Sequence, residues 1–147
     1  MTAYKNVLVA LDFSPIAEKV IKRARQIAER FQARLSLVHV VEYIPPVEPV
    51  GDMILGIDWG VDERELLELS KERFATLAEK HGLADAGREV LSGNARLEIA
   101  RHAADLGCDL IIIGSHGRHG FSRLLGSTAD AVLHHAHCDV LAVRADD

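Results

Sequence analysis

The sequence predicts an α/β fold: an open, doubly wound, five-stranded parallel sheet with helices on both faces. Three observations carry that prediction. Short, β-branched apolar runs alternate along the chain with segments of three- and four-residue apolar periodicity. Two of the runs, Val7-Leu8-Val9-Ala10-Leu11 and Leu110-Ile111-Ile112-Ile113, are continuous, as strands buried on both faces are. The 147 residues, 48% of them apolar, are enough for one real core and leave little room for a second. Residues 1–147 therefore read as a single domain.

Each element has its own signal. Strand 1 is Val7 to Leu11. Ser14 stands where it can cap the following helix, and Pro15 suits a first helical position. Ile16, Val20, Ala24, Ile27, Ala28 and Phe31 then mark one apolar helix face. Leu35, Leu37, Val38, Val40 and Val41 form strand 2. Residues 42–60 break all periodicity with three prolines and three glycines, and read as a long functional or mobile loop. This loop leaves strand 2 on the ligand side and is a candidate lid over the site, with Trp59 as its reporter. Helix 2 runs from about Asp62 to His81, with Leu67, Phe74, Leu77 and Ala78 inward. Its many Glu, Lys and Arg residues read as a solvated face. Arg88 to Leu91 is a weak strand at an edge. Ala95, Ile99, Ala103 and Leu106 mark helix 3, and strand 4 spans 109–113. Helix 4 spans Ser127 to Ala136 with Val132 and Leu133 inward, and Val140 to Val143 closes the chain as strand 5. Right-handed crossovers turn this order into the open sheet.

In such a sheet, ligands bind beyond the carboxyl ends of the strands, at the switch point. Asp12 ends strand 1 and Gly114 ends strand 4, so their loops are expected to face each other. The stretch GSHGRHGFSRLLGST, residues 114–128, falls there. From Leu110 to Ala129 there is no Asp or Glu, while His116, Arg118, His119 and Arg123 are present. Gly114, Gly117 and Gly120 allow a close backbone approach to a ligand. Gly126-Ser127-Thr128 opens a helix whose free N–H groups and dipole favour an anion. The alternatives are a plain basic loop and, for Ser127 with Asp130, a capping box. Asp12 has two readings as well, a ligand contact or a cap for the turn that follows it.

Other classes fare worse. The net charge of −5 argues against a nucleic-acid binder. No apolar run approaches the roughly 20 residues of a membrane span, and no signal-peptide layout opens the chain, so a cytoplasmic protein is expected. Cys108 and Cys138 match no metal or redox spacing and read as small apolar fillers. His39 reads as a hydrogen-bonded core histidine. His134, His135 and His137 straddle a helix end and suit its dipole better than a metal. No paired carboxylates, triad or nucleophile–base pair is apparent, so no enzyme is expected beyond slow hydrolysis of a bound ATP.

Over its whole length the chain resembles the universal stress protein family. The residues that carry the resemblance are Lys5 to Ser14 (KNVLVALDFS), Leu37-Val38-His39-Val40, Asp109 to Gly117 (DLIIIGSHG), Gly126-Ser127-Thr128 and Cys138 to Val143 (CDVLAV). The resemblance implies a Rossmann-like sheet of order 3-2-1-4-5 and a homodimer joined through strand 140–143. It also implies ATP as ligand, with magnesium held by phosphate oxygens and water. Asp12 and the backbone around Val40 would hold the adenosine part, and Gly114, His116, Gly117, Gly126, Ser127 and Thr128 the ribose and phosphates; apart from the resemblance, Arg118 reads as a phosphate contact or as a solvated loop charge. ATP-binding members are described by Gly-x2-Gly-x9-Gly-Ser/Thr; here only eight residues, RHGFSRLL, separate Gly117 from Gly126. The family also has a branch that binds no nucleotide, and a dimeric stress-response interaction module of that kind is the alternative.

Overall fold

The computed structural model describes residues 3–43, 62–116 and 125–145. Five strands and four helices alternate: β1 (Asn6–Ala10), α1 (Ala17–Phe31), β2 (Arg34–Val41), α2 (Glu63–Lys80), β3 (Gly87–Ser92), α3 (Ala95–Asp105), β4 (Leu110–Gly114), α4 (Ser127–His135) and β5 (Asp139–Val143). The strands form one sheet in the order β3-β2-β1-β4-β5. Every pairing is parallel, as in Ala10 beside Val38 and Ala10 beside Ile113. The expected fold class and strand order are the ones found.

The continuous apolar runs have a simple cause. Val7 and Val9 of β1 and Ile112 of β4 point into a core with Val20 and Ile21 of α1 and Phe74 of α2. Leu8, Ile111 and Ile113 point the other way, onto Ile99 and Ala103 of α3 and Val132 of α4. Val7 to Ala10 and Leu110 to Ile113 are buried on both faces of the sheet, so all of these positions are apolar. Burial of this kind is the main favourable term in folding.

The helix starts divide into caps that form and caps that do not. Asp62 accepts from the Glu65 N–H at 2.8 Å, and Asn94 accepts from the Arg96 N–H at 3.0 Å. Ser14 does not cap α1: the residue at that position is Ile16, with no side-chain bond. Ser14 lies two residues too early, its carbonyl accepting from Ala17 N–H at 3.1 Å. Its own N–H donates to Asp12 Oδ1 at 3.0 Å, and its hydroxyl donates to the same oxygen. The carboxylate is the stronger acceptor and takes both donors. The Ser127–Asp130 capping box is likewise absent. Gly126 occupies the cap position with no side-chain bond, which puts Ser127 inside the helix.

Three apolar residues expected inward are exposed. Leu106 is 46% exposed because α3 ends before it, and Leu133 is 53% exposed because its neighbour Val132 takes the buried position. Phe31, at the end of α1, meets the Tyr4 ring edge-on at 5.3 Å instead of entering the core.

Candidate functional site

The carboxyl ends of β1, β2 and β4 open into a cleft of about 920 Å³, within the size range of small-molecule sites. Asp12, Val40, Gly114, His116, Gly126, Ser127 and Thr128 all line it. Gly117 and Arg118 lie outside the described residues, as does all but the start of the 42–60 loop. The remaining residues picked from the sequence are therefore brought together by the strand order.

On the β1 side, the chain extends one residue past the strand, with Leu11 N–H donating to Val38 O at 2.9 Å. Asp12 follows and is exposed to the cleft. Its Oδ1 holds the Ser14 turn, so the carboxylate is fixed before any ligand arrives. The capping reading of Asp12 is thus met in part: it organises the turn before α1. Val40, the penultimate residue of β2, lines the cleft at the neighbouring strand end.

His39 fixes this corner from below. Its Nδ1 lies 2.8 Å from Leu11 O. A carbonyl only accepts, so Nδ1 carries the proton and donates. The ring sits 4.5 Å from Phe13 and 5.9 Å from Phe74. Burial among these rings pulls the His39 pKa below its usual value, against the Leu11 carbonyl and Asp12, which raise it; the Arg73 cation lowers it further. His39 is therefore a hydrogen-bonded, neutral histidine, as the sequence suggested.

The unfolded chain takes up a proton on this ring near the ordinary 6.5, and the folded chain resists it until lower pH. In that window the unfolded state binds more protons, so stability falls as pH drops below about 6.5 and is flat above it for this group. Urea unfolding at successive pH values should show the slope, and His39→Gln should remove its share.

On the β4 side, the chain leaves the strand at Gly114 and turns sharply. Ser115 N–H donates to Val143 O at 2.7 Å, and Ser115 O accepts from Gly126 N–H at 2.6 Å. The second bond closes the base of the loop and delivers the start of α4 to the cleft. Two glycines make the approach possible. A Cβ on Gly114 would stand 3.1 Å from Ile16 Cγ2, and a Cβ on Gly126 would stand 2.7 Å from Ser115 O. At Gly126 the obstacle is backbone, which cannot swing aside.

The first bonded amide inside α4 is that of Asp130, which donates to Gly126 O at 2.9 Å. The amides of Ser127, Thr128 and Ala129 precede it, and no described side chain caps them. They form the positive end of a helix, aimed at a cleft its own first residues line. His116 adds a ring beside them, its Nδ1 3.1 Å from the buried Ser115 hydroxyl. The arrangement offers an anion several N–H donors and one polarisable ring.

Two cleft residues had weak sequence signals. Phe13 forms part of the wall, and the Arg73 guanidinium stacks 4.1 Å from its ring centre. Arg73 looked like one more solvated charge on α2, because only the packing of α2 beside the loop that follows β1 reveals what it faces. His134, by contrast, turns back on its own helix, its Nδ1 donating to Asp130 O at 2.7 Å. Among the described residues, no group of three or more His, Cys, Asp or Glu side chains gathers to hold a metal. Among them, too, no helix is long and apolar enough to cross a membrane.

A parallel 3-2-1-4-5 sheet with its cleft at the strand carboxyl ends defines a doubly wound, Rossmann-like α/β protein. The universal stress protein family matches residues 3–144. Universal stress protein A homolog 2 of Coxiella burnetii is 40% identical over 145 residues, covering 98% of this chain and 97% of its own. The solved universal stress protein UspA of Lactobacillus plantarum superposes with a TM-score of 0.76 at 28% identity, over 98% of this chain and 100% of that one. A universal stress protein solved in complex with cAMP superposes at 0.63 with 25% identity, over 97% and 98% of the two chains. The chain belongs to the universal stress protein family.

Proposed function

We propose that this chain is a regulatory, non-catalytic universal stress protein that binds an adenine nucleotide, ATP in the first instance, in the cleft between the β1 and β4 loops. The observation that carries the reading is the uncapped start of α4, delivered to the cleft by Gly126 and by the Gly126 N–H to Ser115 O bond. Phosphates are the ligand groups that use such an end best. Gly114, His116, Gly126, Ser127 and Thr128 take the phosphates and ribose; Gly117 and Arg118 belong to the same stretch. Asp12 and the backbone at Val40 take the adenosine part. A related protein solved with cAMP supports an adenine nucleotide over other anions.

Magnesium fits only as part of the ligand. Among the described residues, the carboxylates lining the cleft are Asp12, whose Oδ1 is committed to Ser14, and Glu42, which accepts from the Ala95 N–H at 3.0 Å. The phosphate oxygens and water therefore supply most of the ion's shell. For catalysis the cleft has little to offer. Its Ser115 hydroxyl neighbours His116 but is buried, so it presents no nucleophile to a ligand. The reading also places the protein in the cytoplasm as a single-domain homodimer. β5 is a sheet edge with Val140, Leu141 and Ala142 partly exposed, and pairing with a second β5 would cover it.

The eight-residue spacing between Gly117 and Gly126 favours one second reading, a dimeric interaction module without nucleotide. Titration of the nucleotide-free protein with ATP and magnesium, cAMP and AMP separates the two. Saturable binding of at least one, with GTP weaker, is the expected result. Silence from all of them at near-millimolar concentration would leave the interaction module.

A further inference from the structure

We propose that Cys108 and Cys138 are a redox pair that closes to an intramolecular disulfide when a small-molecule disulfide oxidant, such as oxidised glutathione, is present. In sequence they are thirty residues apart and match no motif. The fold brings them to one place, at the amino ends of β4 and β5, the opposite end of the sheet from the cleft.

The strand register gives the distance. Leu110 of β4 pairs with Asp139 of β5. Continued back beyond the paired residues, that register sets Asp109 opposite Cys138 and Cys108 diagonal to it, and each thiol is near enough to act on the other's charge. Strand spacing and rise put diagonal Cα atoms roughly 6 Å apart, inside the range a disulfide spans. Direction agrees as well. Strict alternation would send Cys108 to the opposite face from Cys138, but the strand begins at Leu110, and the Cys108 amide is still bonded to Ala103 O of α3 at 2.9 Å. Both cysteines consequently pack against the same apolar cluster of Ala103, Ile111 and Val132. Both are free and partly exposed, so an oxidant can reach them.

Their acidity sets the pace. Burial pushes the Cys108 thiol up to about 11, with the Cys138 thiolate and Asp109 adding to it, and burial raises Cys138 too. Little thiolate exists at neutral pH, so casual oxidation is slow. A basic thiolate is also the better nucleophile, which offsets part of that loss. Proximity then favours closure over a lasting adduct.

The chemistry balances in two exchanges. The Cys138 thiolate attacks one sulfur of oxidised glutathione, forms a mixed disulfide and releases one glutathione thiolate. The Cys108 thiolate attacks the Cys138 sulfur of that mixed disulfide, forms the Cys108–Cys138 bond and releases the second. The two protein thiols are oxidised by two electrons; the oxidant is reduced to two glutathiones, which take up the two protons. The product ties edge strand β5 to β4.

The test is oxidation of the folded protein with oxidised glutathione at mildly alkaline pH, read by intact mass and by peptide mapping without reductant. The expected product is lighter by two hydrogen atoms, contains a Cys108–Cys138 linked peptide, and melts on the order of 5 °C higher. Cys108→Ser and Cys138→Ser should each stop at a glutathione adduct on the remaining thiol. Three results would overturn the proposal: two unreacted thiols, glutathione adducts without linkage in the wild type, or a disulfide that joins two chains.

Discussion

Gly126→Val is expected to abolish nucleotide binding and to destabilise the fold by about 2 kcal/mol. The reason is local and geometric. The first atom of any side chain at this position would lie 2.7 Å from Ser115 O and 3.3 Å from His116 Cα. That oxygen accepts the Gly126 N–H itself, so moving it away breaks the bond that closes the loop base. Relief requires α4 to retreat from β4, carrying the amides of Ser127 and Thr128 out of reach of a phosphate. Gly107→Ala is the control. Gly107 has φ of +65° with nothing near its absent Cβ, so the change costs about 1 kcal/mol of stability and leaves binding intact. Thermal melts and nucleotide titrations on the two variants separate loss of the site from loss of the fold.

Phe74→Ala should lower stability by about 3–5 kcal/mol, a large fraction of what holds a domain of this size together. Phe74 is 1% exposed and is among the largest fully buried side chains in the described residues. Its ring also meets Phe13 at 6.4 Å and His39 at 5.9 Å, beneath the cleft. Two readouts follow. The melting temperature should fall by on the order of 10 °C. The His39 pKa should climb back toward its ordinary value, because water entering the vacated space relieves the burial that depresses it. A large loss of stability with an unchanged His39 titration would show that Phe74 supports the core without shaping the corner beside Asp12.

The sheet was legible because its central strands are dry on both sides. Runs such as Leu110 to Ile113 admit no polar residue, and helix periodicity between them left few alternative topologies. The positions of Asp12, Gly114, Gly126, Ser127 and Thr128 in one cleft followed from strand ends and helix starts. What failed was choice among equivalent local partners. Ser14 is a good cap by type, yet α1 begins two residues later, after Ile16, and Ser14 spends its donors on Asp12 instead. Ser127 and Asp130 have capping-box spacing, but a glycine one residue earlier takes the cap position. Leu133 and Val132 are adjacent apolar residues, and sequence cannot say which the neighbouring α3 will cover. Arg73 and the Cys108–Cys138 juxtaposition depend on contacts between elements distant in the chain, and local pattern carries no trace of them.

These pieces describe one device at the carboxyl end of the sheet. A pinned carboxylate stands on one side, an uncapped helix end on the other, and a neutral histidine braces the strand end between them. The most direct test of it is a residue-resolved amide chemical-shift map of the protein with and without ATP and magnesium. The amides of Asp12, Gly114, His116, Gly126, Ser127 and Thr128 are expected to shift together and saturate in one transition, while those at the amino ends of β4 and β5 stay still. Saturable binding whose shifts fall elsewhere and leave the start of α4 untouched would contradict it.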